Sequence, residues 1–422
     1  MDRLGGMTRV LHFLGIGRLP KRPMDDATGG TERVALEIAR VQARRGVKVT
    51  VACMAPEAWT GTWEGVQLRH LKPYPWAKVR YRGSLKDFRV HLPLIRCARL
   101  GRFDIVHLHE YRFTRFLGRP SVVHFHNNPL DGLPDTGFGA AAGYFWMDLG
   151  KAQAQIAVSS FVGRRLQLSH EQAGPTALPA NIVVNQSGVD ANVLSYAQQQ
   201  EARTRIRREL GLKDSDVLFI FVGAVRSGKG VIQLAQAFTK LAAEHGNVHL
   251  AVAGSTKLWL DSQGPKDTGE QQARAILAEA LAQRRVSLLG LVAPAALPPY
   301  YAAADVLVMP SIFQEGFGLV ILEAFAAGIP VIGARSGAVS ELVEEERTGL
   351  LVDPGDADSL HHAMHRLLLD HDLRQRLGAA GRQTALNMPW EKTVDRLEKI
   401  YRGAMASRSE ASRCDGFEEK YL

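Results

Sequence analysis

Cysteine is scarce in this chain: three residues among 422, Cys53, Cys97 and Cys414, odd in number and far apart. They offer neither a disulfide framework nor the close spacing of a zinc site, so a reducing, cytoplasmic setting is expected. Long apolar runs are missing as well. None approaches the ~20 residues of a membrane-spanning helix. The short run Val10–Ile16 reads as a first strand rather than an export signal. Acidic residues nearly vanish between Arg69 and Arg102, where ten Lys and Arg accompany one acid, Asp87. No internal repeat is found, which sets aside repeat architectures.

What is present is an ordinary globular composition, 46% hydrophobic and 23% charged, over a length that suggests two domains. Short apolar strands alternate with helical stretches, the pattern of β-α-β units in parallel sheets. Strands are expected at Arg9–Leu14, Val47–Cys53, Ile105–His109, Val122–Phe125, Ile156–Val158 and Ile182–Val184. In the second half they are expected at Val217–Val222, Val248–Ala253, Val286–Leu289 and Val306–Met309.

The chain is organised around residues 310–337. After the strand ending at Met309 comes Pro310-Ser311-Ile312-Phe313-Gln314-Glu315-Gly316-Phe317-Gly318, then a helix apolar on every side except at Glu323. Gly328 and Pro330 stop that helix. Glycines beside Glu315 let backbone amides approach a ligand at a helix N-terminus. Glu315 and Glu323 stand eight residues apart, roughly 12 Å if all the steps are helical. That exceeds the ~5–9.5 Å of a glycosidase pair and suits two ends of an extended ligand, such as the sugar and ribose of a nucleotide sugar. A capping glutamate plus a satisfied buried one fits the spacing equally well.

A second glycine loop, Gly223-Ala224-Val225-Arg226-Ser227-Gly228-Lys229-Gly230, precedes a helix over Val231–His245. Two cations before a helix N-terminus suit a diphosphate, although the glycine spacing is not that of a P-loop. Thr28-Gly29-Gly30-Thr31 leads into a helix from Thr31 to Arg45, with Thr28 or Thr31 as its cap. Gly15-Ile16-Gly17 lacks the third glycine of a dinucleotide fingerprint. Histidines close two strands, His107-Leu108-His109-Glu110 and His124-Phe125-His126-Asn127-Asn128, where a doubly wound sheet presents ligands. They read as hydrogen-bonded scaffold or acceptor contacts before metal ligands. Asp214-Ser215-Asp216 and Asp356-Ala357-Asp358 mimic a metal-binding D-x-D but read as structural, so no metal and no cofactor is expected.

Glu315, Gly316, Phe317, Gly318, Glu323, Ala324, Gly328, Pro330 and Val331 together resemble the E-x7-E signature of retaining glycosyltransferase family 4. The 223–230 loop resembles that family's G-R-x-x-x-x-K-G, with Ala224 in place of the usual arginine and Arg226 two residues later. Gly337 and Glu341 resemble its G-G-x-x-E, with Ala338 for the second glycine. The resemblance implies the GT-B fold, two facing Rossmann-like doubly wound domains with a cleft between them, and hexosyl transfer from a UDP-linked donor without a metal. It places donor-sugar contacts on Glu315 and the amides of Gly316 to Gly318. Ribose falls to Glu323, the diphosphate to Lys229 and Arg226, and the base to Gly290 and Leu291. It makes His126 the active-site histidine and Gly29 and Gly30 cleft contacts, while His109, Glu110 and Asn127 at the same strand ends are expected as acceptor or cleft contacts from their position. The expected domains are 1–197, 198–388, a helix 389–402 crossing back to the first, and a disordered tail 403–422. Within the family the chain is similar to lipopolysaccharide-core N-acetylglucosaminyltransferases and spore-coat-type enzymes, which implies a glycan or lipid-linked acceptor. A nucleotide-sugar epimerase and a non-catalytic nucleotide-sugar sensor are the rival functions.

The basic stretch, with Tyr74, Trp76, Tyr81 and Phe88 among its cations, suits the anionic face of the cytoplasmic membrane; no nucleic-acid motif accompanies it. Each juxtamembrane cation contributes about 1 kcal/mol near anionic lipid. The protein should therefore float with anionic but not neutral vesicles at low salt. Changing Lys78, Arg80, Arg82 and Lys86 to glutamine should abolish flotation. Equal binding by that variant would reduce the patch to a solvated surface.

Overall fold

The computed structural model describes residues 9–16, 19–24, 29–74, 78–81, 84–110, 114, 117–127, 152–172, 181–255 and 268–418. They fall into two compact units, the first running to Ser187 and regaining the chain at Trp390, the second spanning Gly188–Pro389. The change of unit comes ten residues before the expected 197/198 boundary. Val189 N donates to Met388 O (2.8 Å) and Arg382 donates to Ala191 O (3.1 Å), which ties 188–192 to the second unit.

The first unit is built on eight strands: β1 (Arg9–Ile16), β2 (Lys48–Met54), β3 (Trp59–Trp63), β4 (Val66–Leu71), β7 (Ile105–His109), β8 (Ser121–Phe125), β9 (Ala154–Ala157) and β10 (Ile182–Val184). A separate hairpin holds β5 (Lys78–Tyr81) and β6 (Ser84–Asp87). The sheet order is β10-β9-β8-β7-β1-β2-β4-β3, parallel except for the edge strand β3. The β3–β4 pair and the hairpin were not anticipated. β3 is short, with side chains that alternate between partly and fully exposed, so it lacks the apolar signature of the inner strands. The basic stretch thus contains a hairpin as well as the helix Phe88–Leu100; Trp76 and Arg82 lie outside the described residues.

The helix Gly30–Arg44 packs on this sheet beside the final helix, Trp390–Glu418. Arg45 binds Asp395 (2.7 Å) and Tyr401 is wholly buried. The helix expected to end at Arg402 continues to Glu418, because the residues beyond it include no proline and many good helix formers.

The second unit has six strands, all parallel: β11 (Val217–Val222), β12 (Val248–Ala253), β13 (Val286–Gly290), β14 (Val306–Met309), β15 (Val331–Ala334) and β16 (Gly349–Val352). Their order is β13-β12-β11-β14-β15-β16, so the winding reverses between β11 and β14. Asp305 holds these two strands together, accepting from Leu218 N (2.7 Å), Arg203 (2.7 Å) and Arg207 (3.1 Å). β15 and β16 went unread; each is only four residues long.

Strand register in the first unit gathers five histidines on one sheet face. His12 pairs with His107 across β1–β7, and His109 with His124 across β7–β8. His12, His107, His109 and His124 are wholly buried and His126 nearly so. Burial lowers all five pKa values, to about 4 for His12 and about 3 for His126, with neighbouring histidines adding to the effect at His107, His109 and His124. Unfolded histidine titrates near 6.5. The row therefore contributes stability that is present above pH 6.5 and is lost as pH falls toward 4. Neither nitrogen of His124 has a partner among the described residues. Calorimetric melting should show Tm falling between pH 6.5 and 4, and His124→Leu should flatten that fall by removing one buried titratable group.

Candidate active site

The strand ends at the β11/β14 reversal are where an open parallel sheet binds ligands. The loop after β11 makes a 3-10 turn at Ser227–Lys229 and enters the helix Val231–Glu244 through Gly230, in the left-handed region at φ 72°. A Cβ at Gly230 would lie 1.9 Å from Pro310 O, so only glycine lets the two loops touch. Ile312 N and Phe313 N both donate to Gly228 O, at 2.9 and 3.1 Å.

This contact brings together the residues singled out in the two loops. Lys229 Nζ donates to Glu315 Oε1 at 2.7 Å and lies 4.4 Å from the centre of the Phe313 ring. The Ser311 hydroxyl donates to the same carboxylate oxygen. Glu315 is buried and Lys229 only partly so, leaving the ammonium with access to a ligand. Behind them, Ala338 N donates to Glu315 O (2.8 Å), and Gly337 (φ 62°) packs so closely that a Cβ would sit 2.5 Å from Glu315 N. The Gly337-Ala338 turn is thus a backstop for the glutamate.

Gly316 and Phe317 are buried, and Gly318, in the left-handed region, precedes the helix Leu319–Ala327. That helix is buried at Ile321, Leu322, Ala324, Phe325 and Ala326, but Glu323 is half-buried. Tyr301 O–H donates to Glu323 Oε2 at 2.6 Å. Arg226 is half-buried in the same loop as Lys229, its N–H on Ala224 O. Gly290 closes β13 and accepts from Gly254 N (2.7 Å), beside a cavity of about 180 Å³ lined by Phe221, Val225, Ser255 and Arg274 among others. Leu291 is exposed. Sequence reasoning missed Ser311 and Tyr301 as neighbours of the two glutamates and Phe313 as a neighbour of Lys229. Ser311 could have been suspected from its place four residues before Glu315.

In the first unit the candidates divide. His126 is buried, with Nε2 2.9 Å from His109 Nδ1. His109, expected as an acceptor contact, instead lies wholly inside, also 3.0 Å from His12. Both faces of β7 are buried, and the histidine face is covered by Gln42 of the first helix and Tyr401 of the final one. Glu110 accepts from His126 N (2.6 Å) and Asn127 N (2.8 Å), so its carboxylate pins the turn after β8. Asn127 is exposed. Gly29 is the N-cap of the first helix with no side-chain cap, contrary to the expected Thr28 or Thr31; Thr28 and Asn128 lie outside the described residues. Gly30 opens the helix with free space around it. Of the D-x-D runs, Asp216 accepts from Lys213 N (2.8 Å), and Asp356 caps the helix Ala357–Leu369. Among the described residues no helix is long and apolar enough to cross a membrane.

Two family models match the chain in succession, Glycosyltransferase Family 4 over residues 28–192 and Glycosyl transferases group 1 over residues 202–384. A D-inositol 3-phosphate glycosyltransferase of Thermobifida fusca is 28% identical over 420 residues, covering 91% of each chain. Among solved structures, sucrose-phosphate synthase from Thermosynechococcus elongatus superposes with a TM-score of 0.73 at 20% identity, covering 94% of this chain and 100% of that one. The Anabaena protein HepE, in complex with UDP and glucose, gives 0.71 at 19%, covering 92% and 98%. With two parallel-sheet Rossmann-like units matched in turn by these two domain families, the chain is a GT-B glycosyltransferase carrying a family 4 domain followed by a group 1 domain.

Proposed function

We propose that the enzyme transfers a hexose or N-acetylhexosamine with retention, without a metal or cofactor, from a UDP-sugar to a glycan or lipid-linked acceptor in cell-envelope polysaccharide or lipopolysaccharide synthesis. The observation that carries this reading is the Lys229–Glu315 contact at the β11/β14 reversal, with Glu323 farther along the next helix. As the bond from sugar to UDP breaks, negative charge grows on the diphosphate. Lys229, Arg226 and the amides opening the helix at Val231 are the groups placed to stabilise it. Glu315, held by Ser311 and Lys229, takes the donor-sugar hydroxyls. Glu323, oriented by Tyr301, takes the ribose. His126 helps to position the acceptor or sugar. The UDP in the HepE complex supports uridine as the nucleotide. The narrower likeness to lipopolysaccharide-core N-acetylglucosaminyltransferases rests on the sequence at His124–Asn128, in the 255–268 insertion region and at Pro310-Ser311 with Glu315, and the membrane-facing location rests on the basic stretch.

Radiolabelled donor with and without lipid acceptor tests the reaction class. Acceptor-dependent product supports transfer, acceptor-independent conversion means epimerisation, and binding without turnover means a sensor. By calorimetry, Glu323→Ala and Tyr301→Phe should weaken free UDP and whole donor alike, whereas Glu315→Gln should weaken the whole donor more. Equal losses in all three would refute the division of labour.

Lys229→Ala should lower turnover more than donor affinity, by about 10²-fold. A melting curve should accompany it, since Glu315 then keeps one fewer partner. Turnover should survive EDTA; loss restored by manganese would overturn the metal-free mechanism.

A further inference from the structure

The histidine row in the first unit has more order than packing requires. Gln42 Oε1 lies 2.8 Å from His12 Nε2, His12 Nδ1 lies 3.0 Å from His109 Nε2, and His109 Nδ1 lies 2.9 Å from His126 Nε2. Gln42 is also hydrogen-bonded to Tyr401, whose Oη lies 2.6 Å from His107 Nδ1. The Gln42 oxygen carries only lone pairs, so His12 Nε2 must donate to it. His12 Nδ1 then accepts from His109 Nε2–H, and His109 Nδ1 accepts from His126 Nε2–H. One amide thereby sets the direction of every bond in the chain, and the capacity left over is a lone pair on His126 Nδ1. That atom is buried and has no hydrogen-bond partner among the described residues.

We propose that Gln42, acting through His12 and His109, is a positioning residue that fixes His126 as the Nε2–H tautomer with Nδ1 as an acceptor. This rests on the reading of His126 as a substrate-positioning group, and it adds which hydrogen bond that group makes: a hydroxyl meeting Nδ1 finds a lone pair, not a proton. Burial, which disfavours the imidazolium of all five, keeps each ring in the neutral form that the chain requires.

Nitrogen-15 spectra of histidine-labelled wild-type protein at pH 7 test the tautomer without any substitution. The expected result is a protonated Nε2 and an unprotonated Nδ1 at His126, assigned by the loss of its signals in His126→Gln. An Nδ1–H or a cationic ring would overturn the proposal. Kinetics supply the second arm. His109→Leu breaks the chain and should lower kcat by up to about 10²-fold, the cost of a misplaced reacting group, while calorimetric UDP affinity is unchanged. His109→Gln keeps one donor and one acceptor and should recover most of the loss. Parallel losses in both variants would reduce the chain to packing. If His126→Gln keeps full turnover, the substrate role of His126 fails, whereas the tautomer is still decided by the spectrum.

Discussion

One salt bridge ties the two glycine loops of the second unit together. Lys229 leaves the end of β11 and Glu315 leaves the end of β14, and they meet only because the winding of the sheet reverses between those strands. Three other features serve that meeting. Asp305 holds the strands side by side through two arginines and a backbone amide. Gly230 lets the loops approach to a distance that no Cβ would allow, and Gly337 lets a third turn press on the glutamate from behind. The carboxylate is mostly out of water, so its ammonium and hydroxyl partners offset a desolvation cost that would otherwise be severe.

The first unit solves a different problem with the same kind of sheet. Its five buried histidines carry no compensating carboxylate among themselves, and burial holds them neutral. Neutral imidazole has one donor and one acceptor, so His12, His109 and His126 pair as an ordered chain, while His124 stands without a partner among the described residues. Gln42 begins that chain, and Tyr401 on the returning C-terminal helix meets it at Gln42 and holds His107 beside it. The final helix therefore contributes a polar anchor to the first unit in addition to apolar cover.

Much of this was legible beforehand where one residue type carries a conformational or chemical necessity. The inner parallel strands declared themselves as apolar runs, and Val217–Val222, Val248–Ala253, Val306–Met309, Ile105–His109 and Ile182–Val184 are found at the expected residues. Edge and short strands did not, because β3 is partly solvated and β15 and β16 are too brief for a pattern to accumulate. Glu315, Glu323 and Lys229 stood out as charges set among glycines and apolar residues.

Strand periodicity and backbone freedom are local properties, so the two-unit α/β architecture, the glycine loops and the charged residues within them could be read from the order of residues. Tertiary structure alone decided which of those charges meet and what else meets them. Tyr301 reaches Glu323 from 22 residues away, Lys229 reaches Glu315 from 86, and Tyr401 reaches His107 from 294. It also withdrew His109 into the interior and turned Glu110 onto backbone amides. Such pairings depend on sheet order and register, which bring residues distant along the chain to neighbouring strand ends and which no local pattern encodes.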